Sequence, residues 1–131
     1  MRFIKQSDCY LDSKTGYEWS LRSYRVMSWE EALGLCVNLE GSWGLPSIEE
    51  LLSLVDYTEF NPATELPGML SSHYYWSSSP YAGNSNEAWY VHFYYGYPYT
   101  NNKDKDFYRN LEGYEYYVRA VRNGARRLKW G

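Results

Sequence analysis

In MSWEEALGLCVNLEG and GLPSIEELLSLVDY a serine is followed three residues later by a glutamate, Ser28 with Glu31 and Ser47 with Glu50. At that spacing the hydroxyl accepts from an amide of the first helical turn and the carboxylate reaches back to the serine amide. Two orphan donors of a helix start are thus satisfied by its own side chains. Both starts lead into apolar residues at helical spacing. Trp29, Ala32, Leu33 and Cys36 predict a helix over about 28–40, which Gly41 can end in a left-handed turn. Ile48, Leu51, Leu52 and Val55 predict a second over about 47–57, with Glu49 and Glu50 at its positive end. Both helices fall in the first half of a 131-residue chain, so the second half must build its share of the core differently.

After TEFNPATELPGML the pattern changes to alternation, with Trp89, Val91 and Phe93 on one face of a strand and Tyr90, His92 and Tyr94 on the other. A last strand is expected at about Tyr116–Arg122. Ahead of the helices, residues 1–26 hold short apolar pieces broken by SDCYLDSKTG, which reads as a hairpin or a strand and loop. Strands, two helices, then irregular β make the class α+β. The expected architecture is two helices packed on small antiparallel sheets with long loops, in one domain over residues 1–131.

Several function classes are excluded at this level. The net charge is −3 with 22% charged residues, which gives no global attraction to nucleic acid or anionic lipid. No apolar run approaches the roughly 18 residues of a membrane span, and MRFIKQSDCY lacks the apolar middle of a secretory signal. Cys9 and Cys36 permit at most one internal disulfide and form no zinc-ligand spacing. His73 and His92 are the only histidines, with no nucleophile elbow beside them, so no catalytic residue and no cofactor is expected. Asp104 and Asp106 lack the glycine turn and closing glutamate of a calcium loop and read as a solvated segment, with no metal.

The window from Tyr90 to Tyr117 is unusual. Of its 28 residues nine are Tyr, three Asn, two Asp and one His. Stacking on bases would need an excess of positive charge. Here Lys103, Lys105 and Arg109 face Asp104, Asp106, Glu112 and Glu115. Tyr and Asn do suit binding surfaces, because they offer large contact area and adaptable hydrogen bonds at low entropic cost. Sugars suit them too. The four residue types also share a genetic property: their codons differ only in the first base before a common adenine and pyrimidine. Replacement of the first adenine of Asn codons generates this mixture.

The ordered segments MSWEEALGLCVNLEG, SWGLPSIEELLSLVDY, YYWSSSP, NEAWYVHF with Gly96, and YYVRAVRNG together resemble the Lcl C-terminal-like family over about Met27–Gly124. The resemblance implies a C-type lectin-like fold, related in architecture to formylglycine-generating enzymes, whose late active-site cysteine pair this chain lacks. It also implies kinship with the variable proteins of diversity-generating retroelements, in which a reverse transcriptase rewrites one region with adenine-directed errors. On that reading Trp76, Trp89, Val91, Phe93, Gly96, Arg119 and Arg122 are fixed scaffold. Tyr90, His92, Tyr94, Tyr95, Tyr97, Tyr99, Asn101, Asn102, Asp104, Asp106 and Tyr108 form a diversified display surface within about residues 81–122. The implied partner is a protein or glycan on another cell or particle, met by a surface-displayed or virion-associated protein. A fixed-specificity carbohydrate-binding adhesin module is the alternative. Gly44 stands where the family often has Arg, and Ala120 where it often has Cys, so the family's disulfide does not carry over.

Overall fold

The computed structural model describes residues 1–26, 28–70, 73–103 and 116–123. The chain runs β1 (Phe3–Lys5), β2 (Tyr10–Asp12), β3 (Glu18–Trp19), β4 (Tyr24–Val26), α1 (Trp29–Asn38), α2 (Ile48–Leu52), β5 (Tyr74–Pro80), β6 (Glu87–His92), β7 (Tyr97–Asn102), β8 (Tyr116–Val118) and β9 (Val121–Arg122). The class is α+β, as expected. One sheet has the order β1-β2-β3-β9 and the other β4-β8-β5-β6-β7. Among the described residues no helix is long and apolar enough to cross a membrane.

Both helix starts form where the serines place them. The Ser28 hydroxyl accepts from the Glu31 amide at 3.1 Å. At α2 the box is reciprocal: Glu50 N–H donates to Ser47 Oγ at 3.1 Å and Ser47 N–H to Glu50 Oε1 at 2.8 Å. Helix α2 is shorter than its apolar stripe predicts, and the cause is local competition. The Ser53 hydroxyl donates to the Glu50 carbonyl, the amides of Leu54 and Val55 bond three residues back, and Asp56 N–H leaves the helix for Ala63 O. The stripe still packs: Leu51 and Leu54 are buried, with Ile48, Leu52 and Val55 against the same cluster.

Two features depart from the sequence reading. The sheets are not wholly antiparallel, because β5 and β8 pair parallel through Tyr74↔Tyr116 and Tyr75↔Tyr117. Parallel neighbours need a long crossover, and here the β6–β7 hairpin and the segment after it provide the chain length. The expected last strand is also split, with β8 in the five-stranded sheet and β9 in the four-stranded one.

The five-stranded sheet is covered on both faces. Trp76, Ala88, Tyr90, Tyr116 and Val118 pack with Ala32 and Cys36 of α1, together with Trp43 and Leu45. Tyr75, Val91 and Phe93 pack on the other side with Leu51 and Leu54, and with Phe3, Trp19 and Val121 of the smaller sheet. Cys9 and Cys36 both lie in the first cluster as thiols.

A buried ion pair secures the amino-terminal strands. Asp12, fully buried, accepts from Arg2 Nε at 2.9 Å and Nη2 at 2.8 Å, from the Lys14 amide at 2.9 Å and from the Thr15 hydroxyl at 3.0 Å. Burial alone would raise this carboxyl, but Arg2, the Lys14 amide and Thr15 outweigh it and hold it below the ordinary carboxylate range. The unfolded chain therefore takes up this proton at higher pH than the folded one. The stabilisation is complete at neutral pH and is lost as acid titrates first the unfolded and then the folded carboxyl. Asp12→Ala takes the carboxylate from Arg2 and leaves its Nη2 on the Ser53 carbonyl, so it should cost about 3 kcal/mol in urea unfolding at pH 7. The gap to the native chain should narrow below about pH 4; a gap independent of pH would contradict the charge pairing.

Candidate functional site

The tyrosine-rich window builds the β6–β7 hairpin, in register from Glu87↔Asn102 to His92↔Tyr97. Its turn closes with Gly96 N–H donating to His92 O at 3.0 Å. Gly96 has φ +84, and a Cβ there would lie 2.5 Å from Val55 Cγ1, so both backbone and packing demand glycine. The tip is clamped from below. Ala63 N–H donates to Phe93 O at 2.7 Å and Asn61 N–H to Tyr94 O at 2.9 Å, which binds the tip to the loop after α2.

Tyrosines at the tip stand in the open: Tyr95 is 54% exposed, Tyr97 49% and Tyr99 48%. They continue a mosaic of rings that begins in the core. Trp76 stacks on Tyr116 at 4.8 Å, Tyr74 meets Tyr90 at 4.5 Å, and Tyr90 meets Tyr99 at 5.9 Å. Toward the tip, His92 lies beside Tyr74 and Tyr94, Tyr94 beside Tyr95, and Tyr95 beside Tyr97 at 5.9 Å. Burial, with a smaller contribution from His73, pushes His92 below the ordinary imidazole value, so its ring joins this mosaic uncharged at neutral pH.

The expected outward face is not uniformly outward. Tyr90 is 8% exposed and packs with Trp76 and Tyr116, and Asn101 is 8% exposed with its side-chain amide donating to the Tyr116 hydroxyl. Strict alternation places Tyr90 opposite Val91, but the side opposite Val91 is covered by the α1 layer rather than by solvent. These two positions are therefore not display residues in geometry. His92, Tyr94 and Asn102 are half-buried. Asp104, Asp106 and Tyr108 lie outside the described residues.

A model of the Lcl C-terminal domain matches residues 8–122. The chain belongs to this family. Comparisons with curated proteins and with solved structures returned no significant match.

In this Lcl C-terminal domain the scaffold positions sit deep. Trp76, Val91, Phe93 and Arg119 are buried, and Trp89 is half-buried, edge-on to Tyr81 at 5.7 Å. Arg122 gathers three segments: it grips Asp8 through Nη1 and Nη2 at 2.9 and 3.0 Å, donates to Gly41 O at 3.0 Å, and lies 3.0 Å from Glu18 Oε1. Its guanidinium lies 4.0 Å from the centre of the Trp43 ring.

Sequence reasoning missed two exposed aromatics on the supporting loop. Phe60 is 65% exposed and touches Tyr94 at 6.3 Å between ring centres, while Tyr57 is 73% exposed. The one signal for them was the pair of aromatic residues in YTEFNP, a segment with no period of its own. Among the described residues the acidic trio Asp56, Glu59 and Glu65 brings ligand oxygens within 4.8 Å of one another. Asp56 there already accepts from the Thr58 amide and hydroxyl.

The burial pattern separates two classes of substitution. Tyr90→Ala should cost about 3 kcal/mol, and Asn101→Ala about 1–3 kcal/mol because it removes a buried bond to the Tyr116 hydroxyl. Tyr95→Ala and Tyr97→Ala should each stay within about 0.5 kcal/mol of the native chain in urea unfolding. Equal costs for all four would overturn this division of the hairpin.

Proposed function

We propose that this domain is a non-enzymatic ligand-binding module of C-type lectin type, whose hairpin tip displays a surface diversified by a retroelement. The observation that carries the reading is the conjunction of codon class and exposure. Tyr95, Tyr97 and Tyr99 belong to the Asn-derived set and stand half in solvent, while Val91, Phe93 and Gly96 between and before them are buried. A surface of this kind changes specificity by exchanging side chains that contribute little to folding.

Binding would rest on tyrosine faces as anchors, with Asn102 and the His92 ring as adaptable hydrogen-bonding partners. Phe60, against Tyr94, extends the same apolar surface from a segment outside the diversified window. The partner is a protein or glycan on another cell or particle. Burial narrows the display set: Tyr90 and Asn101 tolerate only replacements that keep the contacts with Trp76 and Tyr116.

The encoding DNA offers the most direct test. A nearby near-copy of the segment for residues 81–122, mismatched only at adenines and beside a reverse transcriptase gene, is the expected finding. Its absence favours the fixed-specificity carbohydrate-binding adhesin. At the protein level, the native chain and a Tyr94→Ala, Tyr95→Ala, Tyr97→Ala triple variant are applied to a glycan array and a panel of cell-surface proteins. Binding should be abolished in the variant with Tm nearly unchanged. Glycan binding that survives shuffling of the Asn and Tyr positions would reject the diversified site.

A further inference from the structure

Arg119 sits at the bend between β8 and β9, in the centre of the molecule, with no solvent exposure. Its Nε donates to the Ser20 carbonyl at 2.7 Å. Nη1 and Nη2 are also buried, and neither has a hydrogen-bond acceptor among the described residues. The ion pairs of the described residues engage Arg2 and Arg122, not Arg119. Burial lowers its pKa to about 10, which still leaves the side chain a cation at neutral pH. A guanidinium has five N–H donors and no way to satisfy them but acceptors. A buried charge in that condition needs a counter-charge.

Acceptors in the surrounding segments bond to other groups instead. The Tyr75 hydroxyl is 2.7 Å from Ser23 Oγ and accepts from the Leu70 amide at 2.9 Å, and the Gly68 carbonyl accepts from Ser23 Oγ at 2.8 Å. Tyr10 presents its ring, 6.0 Å from the guanidinium carbon. Gly68 itself is exposed, has φ +84, and lies directly against the unused edge of the fork. A methyl group there would stand 3.4 Å from Nη1 and 3.8 Å from Nη2. A residue without a side chain is thus what separates the free guanidinium edge from the outside.

We propose that Nη1 and Nη2 of Arg119 form a binding site for a small monovalent anion, of halide or formate size, reached past the Gly68 turn. The planar fork grips one anion with two converging N–H bonds, and the aromatic surroundings strengthen that attraction by excluding water. Single charge follows from single charge: a divalent anion brought here would itself be left half-neutralised. The bound ion would tie the turn at Gly68 to the bend where the chain passes from one sheet to the other.

Crystals of the intact chain soaked in bromide test this directly. An anomalous peak in hydrogen-bond contact with Nη1 and Nη2 is expected, and its absence would overturn the site, water alone at that position included. In solution, bromide or chloride exchanged for glutamate at constant ionic strength should raise Tm by roughly 4 °C per tenfold increase above saturation. Sulfate should not. Arg119→Met should remove the halide response, and a response that persists in this variant would place the ion elsewhere. If Arg119→Met does not fold, the bromide diffraction of the native chain decides alone.

Discussion

Residues 116–123 take part in every layer of the molecule. Tyr116–Val118 lies between β4 and β5, and three residues later Val121–Arg122 pairs with β3 in the other sheet. At the bend, Ser20 N–H donates to Ala120 O at 2.9 Å while Ala120 N–H donates to Ser20 Oγ at 3.1 Å, so the crossing is held by a closed pair of bonds. Val121 also exchanges both backbone bonds with Gly44, which ties the loop between the helices to the same strand. Asn123 donates to Glu50 Oε2 at 2.8 Å, so the carboxylate that caps α2 is anchored by the end of the closing segment. This one segment therefore joins both sheets, the loop between the helices and the start of α2.

That placement explains why the two arginines of the segment behave so differently. Arg122 is buried where Asp8, Glu18 and a backbone carbonyl converge on it, and the pairing raises its affinity for the proton. Arg119, three residues earlier, points into the apolar interior and meets one carbonyl. One arginine fastens three segments through charge. The other carries charge into a place where the fold supplies little to balance it.

Helix starts, the apolar stripes behind them and the α+β class were legible in the sequence because each is decided within a few residues. The end of α2 was not, since Ser53 and the pairing of Asp56 with Ala63 override a stripe that continues to Val55. Nor was the split of the closing strand, which depends on two partners far away in sequence. Within the hairpin, period-two reasoning placed Val91 and Phe93 inside correctly. It failed at Tyr90 because alternation specifies only which face a side chain takes, not whether that face meets water. With α1 on one side and α2 on the other, the centre of the sheet has no outward face, and within the hairpin exposure returns toward the tip and along edge strand β7. Phe60 and Tyr57 were invisible for a related reason: their exposure follows from a loop whose position is set by bonds to Phe93 and Tyr94.

For the proposed diversified binding surface, the clamp under the tip bears on how a changing surface could bind at all. A free hairpin tip would have to be ordered by each ligand, with an entropic cost for every side chain and backbone unit fixed. Here Gly96 is seated on Val55 and Ala63, and two backbone bonds hold Phe93 and Tyr94 before any ligand arrives. The ring contacts from Tyr94 to Tyr97 limit side-chain freedom further, so much of the ordering cost falls on folding rather than on binding. A tyrosine exchanged for Asn or Asp loses contact area but leaves the backbone beneath it in place, because the clamp is made by glycine, by main-chain bonds and by Val55. Variation and preorganisation are therefore compatible in this hairpin, and the limit on variation lies inward, where Tyr90 and Asn101 share Tyr116 with the core.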